Sequence, residues 1–346
     1  MKMEKIVVAS TNKSAGKTCI ITGLIKASGK KCGYIKPFGD RLVYGGKKIW
    51  DLDAGFIAGT FDLSGKAEDM TIGFEHSKIK YSYDEKTVGK KLTDMCAKAG
   101  KGKDALIIEG GSEMWHGASV LLDAISVTKH VGGSLVLIID GEDYDILDDI
   151  FFMKKYLDAS RVKFAGVIIN KVADVDAFKK TYLADLKKEK VNVLGIVPRT
   201  KELSYYKAKH LLEHIIAKNL TGTAGLDKTI KSVFIGDMSE NAALANSTFK
   251  KEGKMVITSG DRSDMILAAI ETGSSCILLT NGHMPHANII TKAAHAEIPT
   301  FLVSTDTYRT VTQIEHLEPL LTKDDKEKTA LLKGLVKKHV NLKGIF

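Results

Sequence analysis

Short, nearly continuous apolar runs punctuate the first part of the chain. They read EKIVVAS (4–10), KCGYIKPF (31–38), DALIIEG (104–110), GSLVLIID (133–140), FAGVIIN (164–170) and VNVLGIV (191–197). A strand with one wet face would alternate apolar and polar residues. These runs do not, so each is expected to be buried on both faces. The segments between them carry helical spacing, which predicts helices over Lys17–Lys26, Glu85–Ala99, Ala118–His130, Ile146–Leu157, Val175–Glu189 and Glu202–Asn219. Strands alternating with helices imply an α/β fold, a doubly wound parallel sheet covered on both sides.

The polar, glycine-containing stretch NLTGTAGLDKT (219–229) reads as a linker. The alternation then restarts in SVFIGD (232–237), KMVITSG (254–260), CILLTNG (276–282) and TFLVST (300–305). Helical segments are expected near Glu240–Lys250, Ser263–Thr272, Ala287–Ala296 and Thr307–Leu317. This predicts a first domain over 1–219 and a smaller second α/β domain over 220–346. An amphipathic helix with apolar Leu331, Leu332, Leu335 and Val336 closes the second domain.

Composition adds exclusions. The 346 residues suffice for two cores, and 44% hydrophobic with 27% charged residues is an ordinary globular balance. The net charge of +9 is spread over lysine pairs such as Lys30-Lys31, Lys90-Lys91 and Lys337-Lys338. A nucleic-acid surface would concentrate that charge and interleave aromatics, so no nucleic-acid partner is expected. Cys19, Cys32, Cys96 and Cys276 form no C-x-x-C pair, which leaves buried thiols in a reducing cytoplasm. The N-terminus shows no signal-peptide pattern, and no apolar run approaches the ~20 residues of a membrane helix, so no membrane partner is expected.

The chemistry concentrates after the first strand, in VVASTNKSAGKTCIITGL (7–24). A strand that runs into a glycine-containing turn and then a helix is the setting of a phosphate-binding loop. Gly16 lets backbone approach an anion, Lys17 can reach β and γ phosphates, and Thr18 offers a hydroxyl to Mg2+. The amides of residues 13–18 and the helix dipole add to the attraction. The usual pattern is G-x-x-x-x-G-K-[ST]; here Thr11 takes the place of the opening glycine. A magnesium shell needs carboxylates. Glu109 stands at the end of ALIIE, and Asp51 and Asp53 stand at the head of a helix in WDLDAGFIAG, where one of them can instead be a cap. Lys36, at a strand end and pinned by Pro37, aims at the same crevice.

These segments resemble dethiobiotin synthetase and its relatives, among them cobyrinic acid a,c-diamide synthases and the amidoligase domain of CTP synthetase. STNKSAGKT (10–18) is similar to that family's threonine-containing loop. GYIKPF (33–38) resembles its G-Y-x-K-P segment, DLDA (51–54) its Asp-Ala segment, and IIEGGSEMW (107–115) its V-E-G-A-G-G. GVIINKV (166–172) and LGIVPR (194–199) resemble its base-binding strand ends. The resemblance implies a P-loop NTPase fold and an ATP site built from Thr11, Asn12, Lys13, Ser14, Ala15, Gly16, Lys17 and Thr18. Asn170 and Pro198 would lie at the base. The implied Mg2+ ligands are Thr18, Asp53 and Glu109, and the implied catalytic groups are Lys17 and Lys36. The departures fall where substrate would sit: Asn12, Lys13 and Ser14 replace the usual acidic loop, and GGSEMWHGASVLLDA (110–124) replaces the glycine-rich turn. Trp115 and His116 either line a substrate pocket or cover the sheet.

The later segments ITSGDRSDMILAAIETGSSCILLTNG (257–282) and VSTDTYRTVTQIEHL (303–317) resemble the DRTGG domain. The pairing looks like the N-terminal regulatory half of long phosphate acetyltransferases. With no acetyltransferase segment after Phe346, acetyl transfer is not expected. Two activities remain open on this reading. One is an ATPase or ATP-dependent ligase that activates a carboxylate or carbamate of an unidentified small molecule. The other is a nucleotide sensor acting through the DRTGG domain on a partner. A homodimer or higher homo-oligomer is implied by the resemblance. Asp261 reads as a helix cap or, with Arg262, Asp264, Thr280, Asn281 and Gly282, as a ligand or dimer contact; His283 and His286 read as turn residues, with a metal role as the alternative.

Overall fold

The computed structural model describes residues 3–45 and 47–346. The chain forms two compact units, Met1–Arg199 with Leu321–Phe346, and Thr200–Leu320. The first unit is built on a six-stranded sheet. Its strands are β1 (Glu4–Ser10), β2 (Cys32–Ile35), β3 (Ala105–Glu109), β4 (Ser134–Ile139), β5 (Phe164–Val172) and β6 (Val193–Pro198), in the spatial order β2-β3-β1-β4-β5-β6. Every pairing is parallel. The chain leaves β1 for the edge strand β2, returns beside β1 as β3, then continues on the other side as β4. The direction of winding therefore reverses around β1, and ligand crevices form at such reversals, outside the carboxyl ends of the strands.

Burial explains why the strand runs lack alternation. Ile6, Val8, Ile107, Ile138 and Ile168 enter one core with Ile20, Ile21 and Leu24 of α1 (Lys17–Ser28) and Ala54 and Ile57 of α2 (Leu52–Thr60). Their neighbours Val7, Ala9, Ile108, Leu137 and Ile169 enter a second core with Leu92, Ile125, Ile146, Ile150 and Phe178. Successive side chains point to opposite faces, and both faces are covered. Between β2 and α2 the antiparallel pair Leu42–Gly45 and Lys48–Asp51 forms a small ribbon.

The closing helix, Lys326–His339, corrects the expected domain boundary. Expected with residues 220–346, it packs instead on α1 in the first unit. Leu332 and Val336 are both buried, Val336 in the core that α1 shares, and Gly23 supplies the room. A Cβ on Gly23 would stand 2.4 Å from Val336 Cγ2 and 2.8 Å from the Leu332 carbonyl oxygen. Beyond the helix, Asn341 N donates to Leu194 O (2.7 Å), which ties the C-terminus to the edge strand β6. Apolar spacing announced this helix but not which core it would cover. The boundary at 219/220 moves for a second reason: residues 200–219 belong to the second unit.

Three expected helices are shorter than their spacing suggested; the one near Glu240–Lys250 is α-helical only over Glu240–Ala245. Over 118–130 the chain makes a 3-10 turn at Ala118–Val120, then a helix Ala124–Val131 capped by Asp123, whose carboxylate accepts from Ile125 N and Ser126 N. Over 202–219 only Ala208–His214 is α-helical, flanked by the two-residue strands Tyr206–Lys207 and Lys218–Asn219.

The second unit carries a five-stranded sheet. Its strands are β7 (Lys218–Asn219), β8 (Ser232–Ile235), β9 (Lys254–Ser259), β10 (Cys276–Thr280) and β11 (Thr300–Leu302), in the order β7-β11-β10-β9-β8. β8 to β11 are parallel and β7 is an antiparallel edge. Ile257 and Leu278 pack on one face, Val256 and Ile277 on the other. Among the described residues, no helix is long and apolar enough to cross a membrane.

Candidate functional site

The carboxyl ends of β1, β2, β3 and β5 bring the chemistry together. β1 ends at Ser10, and the loop from Thr11 to Gly16 turns into α1. Gly16 sits at φ 86°, the left-handed conformation that lets α1 begin directly at Lys17. A Cβ at this position would also stand 2.6 Å from Asn170 Nδ2. Lys17 is 5% exposed, and its Nζ donates to Ser10 Oγ and to the Ser112 carbonyl, both at 2.8 Å. Burial pulls the Lys17 ammonium below its ordinary pKa, partly opposed by Glu109. Thr18 Oγ1 donates to Glu109 Oε1 (2.8 Å), and Tyr34 OH donates to Glu109 Oε2 (2.8 Å).

β2 ends beside a second buried lysine. Lys36 is 1% exposed, with Nζ 2.5 Å from Asp40 Oδ1, 2.6 Å from Asp53 Oδ2 and 3.3 Å from Asp51 Oδ1. Burial alone would lower its pKa; the surrounding carboxylates, Asp53 foremost, outweigh that and hold it well above the ordinary value. The two aspartates at the head of α2 separate by role. Asp51 is the cap: its Oδ1 accepts from Asp53 N (2.9 Å) and Ala54 N (3.2 Å), and its Oδ2 accepts from Asp40 N and Arg41 N. Asp53 instead spends its carboxylate on Lys36, with Arg41 Nη1 at 3.7 Å.

The electrostatics of this pocket are short of positive charge. Asp40, Asp51, Asp53 and Glu109 act on Lys17 and Lys36, with Arg41 close to Asp53. Glu109 registers the deficit. Burial first, then repulsion from Asp53, push its carboxyl up to about 7 against the pull of Lys36 and Lys17. A divalent cation beside Glu109 and Asp53 would relieve that repulsion. A second sign of fit lies in the loop itself. Thr11 is buried, and its Oγ1 has no hydrogen-bond partner among the described residues. A buried hydroxyl in an anion-binding loop is a ready donor for a phosphate oxygen.

The outer edge of the loop is tied by groups that sequence reasoning missed. Asp140, just past β4, accepts from Asn12 Nδ2 on Oδ1 (2.7 Å) and from Lys171 Nζ on Oδ2 (2.9 Å). Lys171 also donates to Ser14 O. Asn170 Nδ2 donates to Ala15 O (2.8 Å), so the residue expected at the base holds the loop backbone. Pro198 ends the neighbouring strand β6, with Val172 opposite it in register. Lys13 and Ser14 are exposed at the loop tip. Asp140 had a visible signal: it closes its apolar run as Glu109 closes the run of β3.

His116 joins an aromatic cluster just past Lys36, with ring centroids 4.6 Å from Phe38 and 5.3 Å from His76. Trp115 is largely exposed, whereas His116 is half-buried against Phe38. In the second unit, Arg262 rather than Asp261 precedes helix Ser263–Glu271, and no side chain caps it. Asp261 Oδ2 lies 3.9 Å from His283 Nδ1, while Arg262 makes a paired contact with Asp264 (3.0 Å on each oxygen). Thr280 and Asn281 meet by their side chains at the end of β10 (3.3 Å), and Gly282 and Asn281 both have positive φ. His286 precedes helix Ala287–His295.

Comparison with known proteins finds two family matches along the chain. Residues 210–317 match the DRTGG domain and residues 4–206 the AAA domain family. The phosphate acetyltransferase of Pseudomonas putida is 23% identical over 98% of this chain and 51% of its own length. The cobyrinate a,c-diamide synthase of Methanocaldococcus jannaschii is 26% identical over 61% of this chain and 43% of its own. A structure of the Mycobacterium smegmatis cobyrinic acid a,c-diamide synthase with bound ADP and magnesium aligns with a TM-score of 0.39 at 12% identity, covering 58% of this chain and 88% of that one. The chain thus spans about half the length of the phosphate acetyltransferase it matches. With its strand-end loop, its parallel sheet and more than half its residues matched, the chain belongs to the AAA domain family as a P-loop protein, and it carries a DRTGG domain later in its sequence.

Proposed function

We propose that the first unit binds Mg-ATP at the carboxyl ends of β1, β2 and β3. The observation that carries this reading is the pairing of Gly16, Lys17 and Thr18 with the over-repelled Glu109 and the Asp53–Lys36 contact. Lys17 and the loop amides would hold the phosphates, and Thr18, Asp53 and Glu109 would hold the metal. Bound Mg-ATP would supply a transferable γ-phosphoryl group. Lys36 is the residue placed to counter the charge of an acidic substrate, because the carboxylates around it hold its ammonium protonated in the nucleotide-free protein. Moving Lys36 from its aspartates toward a substrate requires that the metal take over those carboxylates. The reaction class that fits is phosphoryl transfer to a carboxylate or carbamate, with the exposed Trp115 and the His116 cluster bordering the acceptor side.

A sensor reading has its own support. The same two modules recur along 98% of this chain in a phosphate acetyltransferase of about twice the length. There the matched half accompanies further sequence, which suits a module that reports nucleotide state to another. Two measurements separate the readings. Saturating Mg-ATP should raise the Tm of the wild-type protein and leave Lys17→Ala unchanged. ADP release with a panel of small acids and amines, lost in Lys17→Ala, supports the enzyme; binding without turnover across the panel supports the sensor. Absence of any Mg-ATP shift in the wild type refutes both.

A further inference from the structure

Away from the phosphate loop, the second unit gathers His210, Glu213 and His214 on the helix Ala208–His214. One nitrogen of each imidazole and a carboxylate oxygen of Glu213 all lie within 4.8 Å of one another. Histidines four residues apart share a helix face, and a carboxylate three residues after the first joins them. We infer that this cluster is a binding site for a divalent transition-metal ion such as Zn2+, with two imidazole ligands and one carboxylate.

The support comes from how the rings are held. His210 Nε2 lies 3.0 Å from the Glu318 carbonyl oxygen, and His214 Nδ1 lies 2.9 Å from the His210 carbonyl oxygen. A carbonyl only accepts, so each of these nitrogens carries the proton. In the neutral rings, the form that binds metal, the lone pairs then reside on His210 Nδ1 and His214 Nε2. A ring nitrogen donating to a backbone carbonyl while its opposite nitrogen coordinates is the usual arrangement behind a metal-bound histidine, because it fixes the tautomer and the ring plane. The two ring centroids lie 4.0 Å apart with their planes tilted by 40°.

The site combines a fixed and an adjustable part. His210 is buried and anchored to the segment at Glu318, whereas Glu213 and His214 are exposed. Ligands around a tetrahedral Zn2+ stand about 3.3 Å apart, given Zn–N and Zn–O distances near 2.0 Å. The donor atoms start within 4.8 Å of one another, and the exposed Glu213 is the ligand with most room to close the difference. Three protein ligands leave a fourth position for water. Mixed imidazole and carboxylate donors select Zn2+, Co2+ or Ni2+ over Mg2+ and Ca2+.

The test is calorimetric titration of ZnCl2 into the full-length, tag-free, nucleotide-free protein, with Co2+ absorption as a second readout of coordination. The expected result is one saturable equivalent per chain. His214→Ala, at an exposed position, should keep the circular dichroism of the wild type and weaken binding at least tenfold, with a smaller loss for Glu213→Gln. Asp53→Asn should bind Zn2+ as the wild type does. No saturable binding overturns the inference, as does wild-type affinity in His214→Ala. Loss of Zn2+ binding in Asp53→Asn would assign the ion to the phosphate-loop carboxylates and overturn it as well.

Discussion

Replacing Glu109 by glutamine should stabilise the protein at alkaline pH while weakening its metal-dependent nucleotide site. Glu109 is 1% exposed and its carboxyl is pushed from 4.5 to about 7. In the unfolded chain the group ionises at its ordinary value. Between about pH 4.5 and 7 the folded state therefore holds a proton that the unfolded state has released. Stability falls as pH rises through that window and levels off above it. At about 1.4 kcal/mol per pKa unit, the shift corresponds to a ceiling of roughly 3 kcal/mol at pH 8. Glutamine mimics the neutral acid. It keeps an acceptor for Thr18 Oγ1, and its amide can donate to Tyr34 OH, whose hydrogen bond to Glu109 Oε2 reverses direction. For a unit of this size, the gain amounts to about 6–12 °C in Tm at pH 8. The assay is thermal unfolding without nucleotide or divalent cation at pH 4.5 and pH 8. Wild type and Glu109→Gln should unfold alike at pH 4.5 and separate at pH 8, the variant being the more stable. Equal differences at the two pH values, or a less stable variant at pH 8, would refute the electrostatic reasoning.

Further outcomes follow from individual contacts. Asp51→Ala removes the α2 cap and the acceptor of the Asp40 and Arg41 amides, and should cost about 2–3 kcal/mol in urea unfolding, whereas Asp51→Asn should recover more than half of it. Gly23→Val drives a side chain into Val336 and the Leu332 carbonyl, so it should cost at least about 1–3 kcal/mol. It should also open the C-terminal helix to limited proteolysis before the rest of the first unit. Asn170→Ala releases the Ala15 carbonyl and should raise the Kd for Mg-ATP about tenfold with a Tm change below that of Gly23→Val, measured by calorimetry and thermal unfolding side by side.

How much of this was legible beforehand depended on whether the signal was local. The strands were, because residues such as Ile6 to Ala9 are buried on both faces and the runs showed it. The phosphate loop was, because strand, glycine, lysine and helix follow one another within a few residues. The attachment of Lys326–His339 was not. Its apolar stripe states that it must be covered, but the partner, Gly23 on α1, lies some three hundred positions away in sequence. Roles within the site divided in the same way. Spacing alone could not tell Asp51 from Asp53; the φ and ψ of the cap residue decided it. Asp40, Asp140, Lys171 and the Ser112 carbonyl touch the site only because separate strand ends converge there. Asn170 was singled out at a strand end as expected, but its contact with Ala15 O is a property of the folded loop.

The most direct test of the account is a crystal structure of the protein grown with Mg2+ and a non-hydrolysable ATP analogue. It predicts β and γ phosphates on the amides of residues 13–18, with Lys17 Nζ moved from Ser10 Oγ and Ser112 O onto a phosphate oxygen and the metal beside Thr18, Asp53 and Glu109. Nucleotide density elsewhere on the chain, or Lys17 still bound to Ser10 and Ser112 beside a vacant loop at saturating ligand, would contradict it.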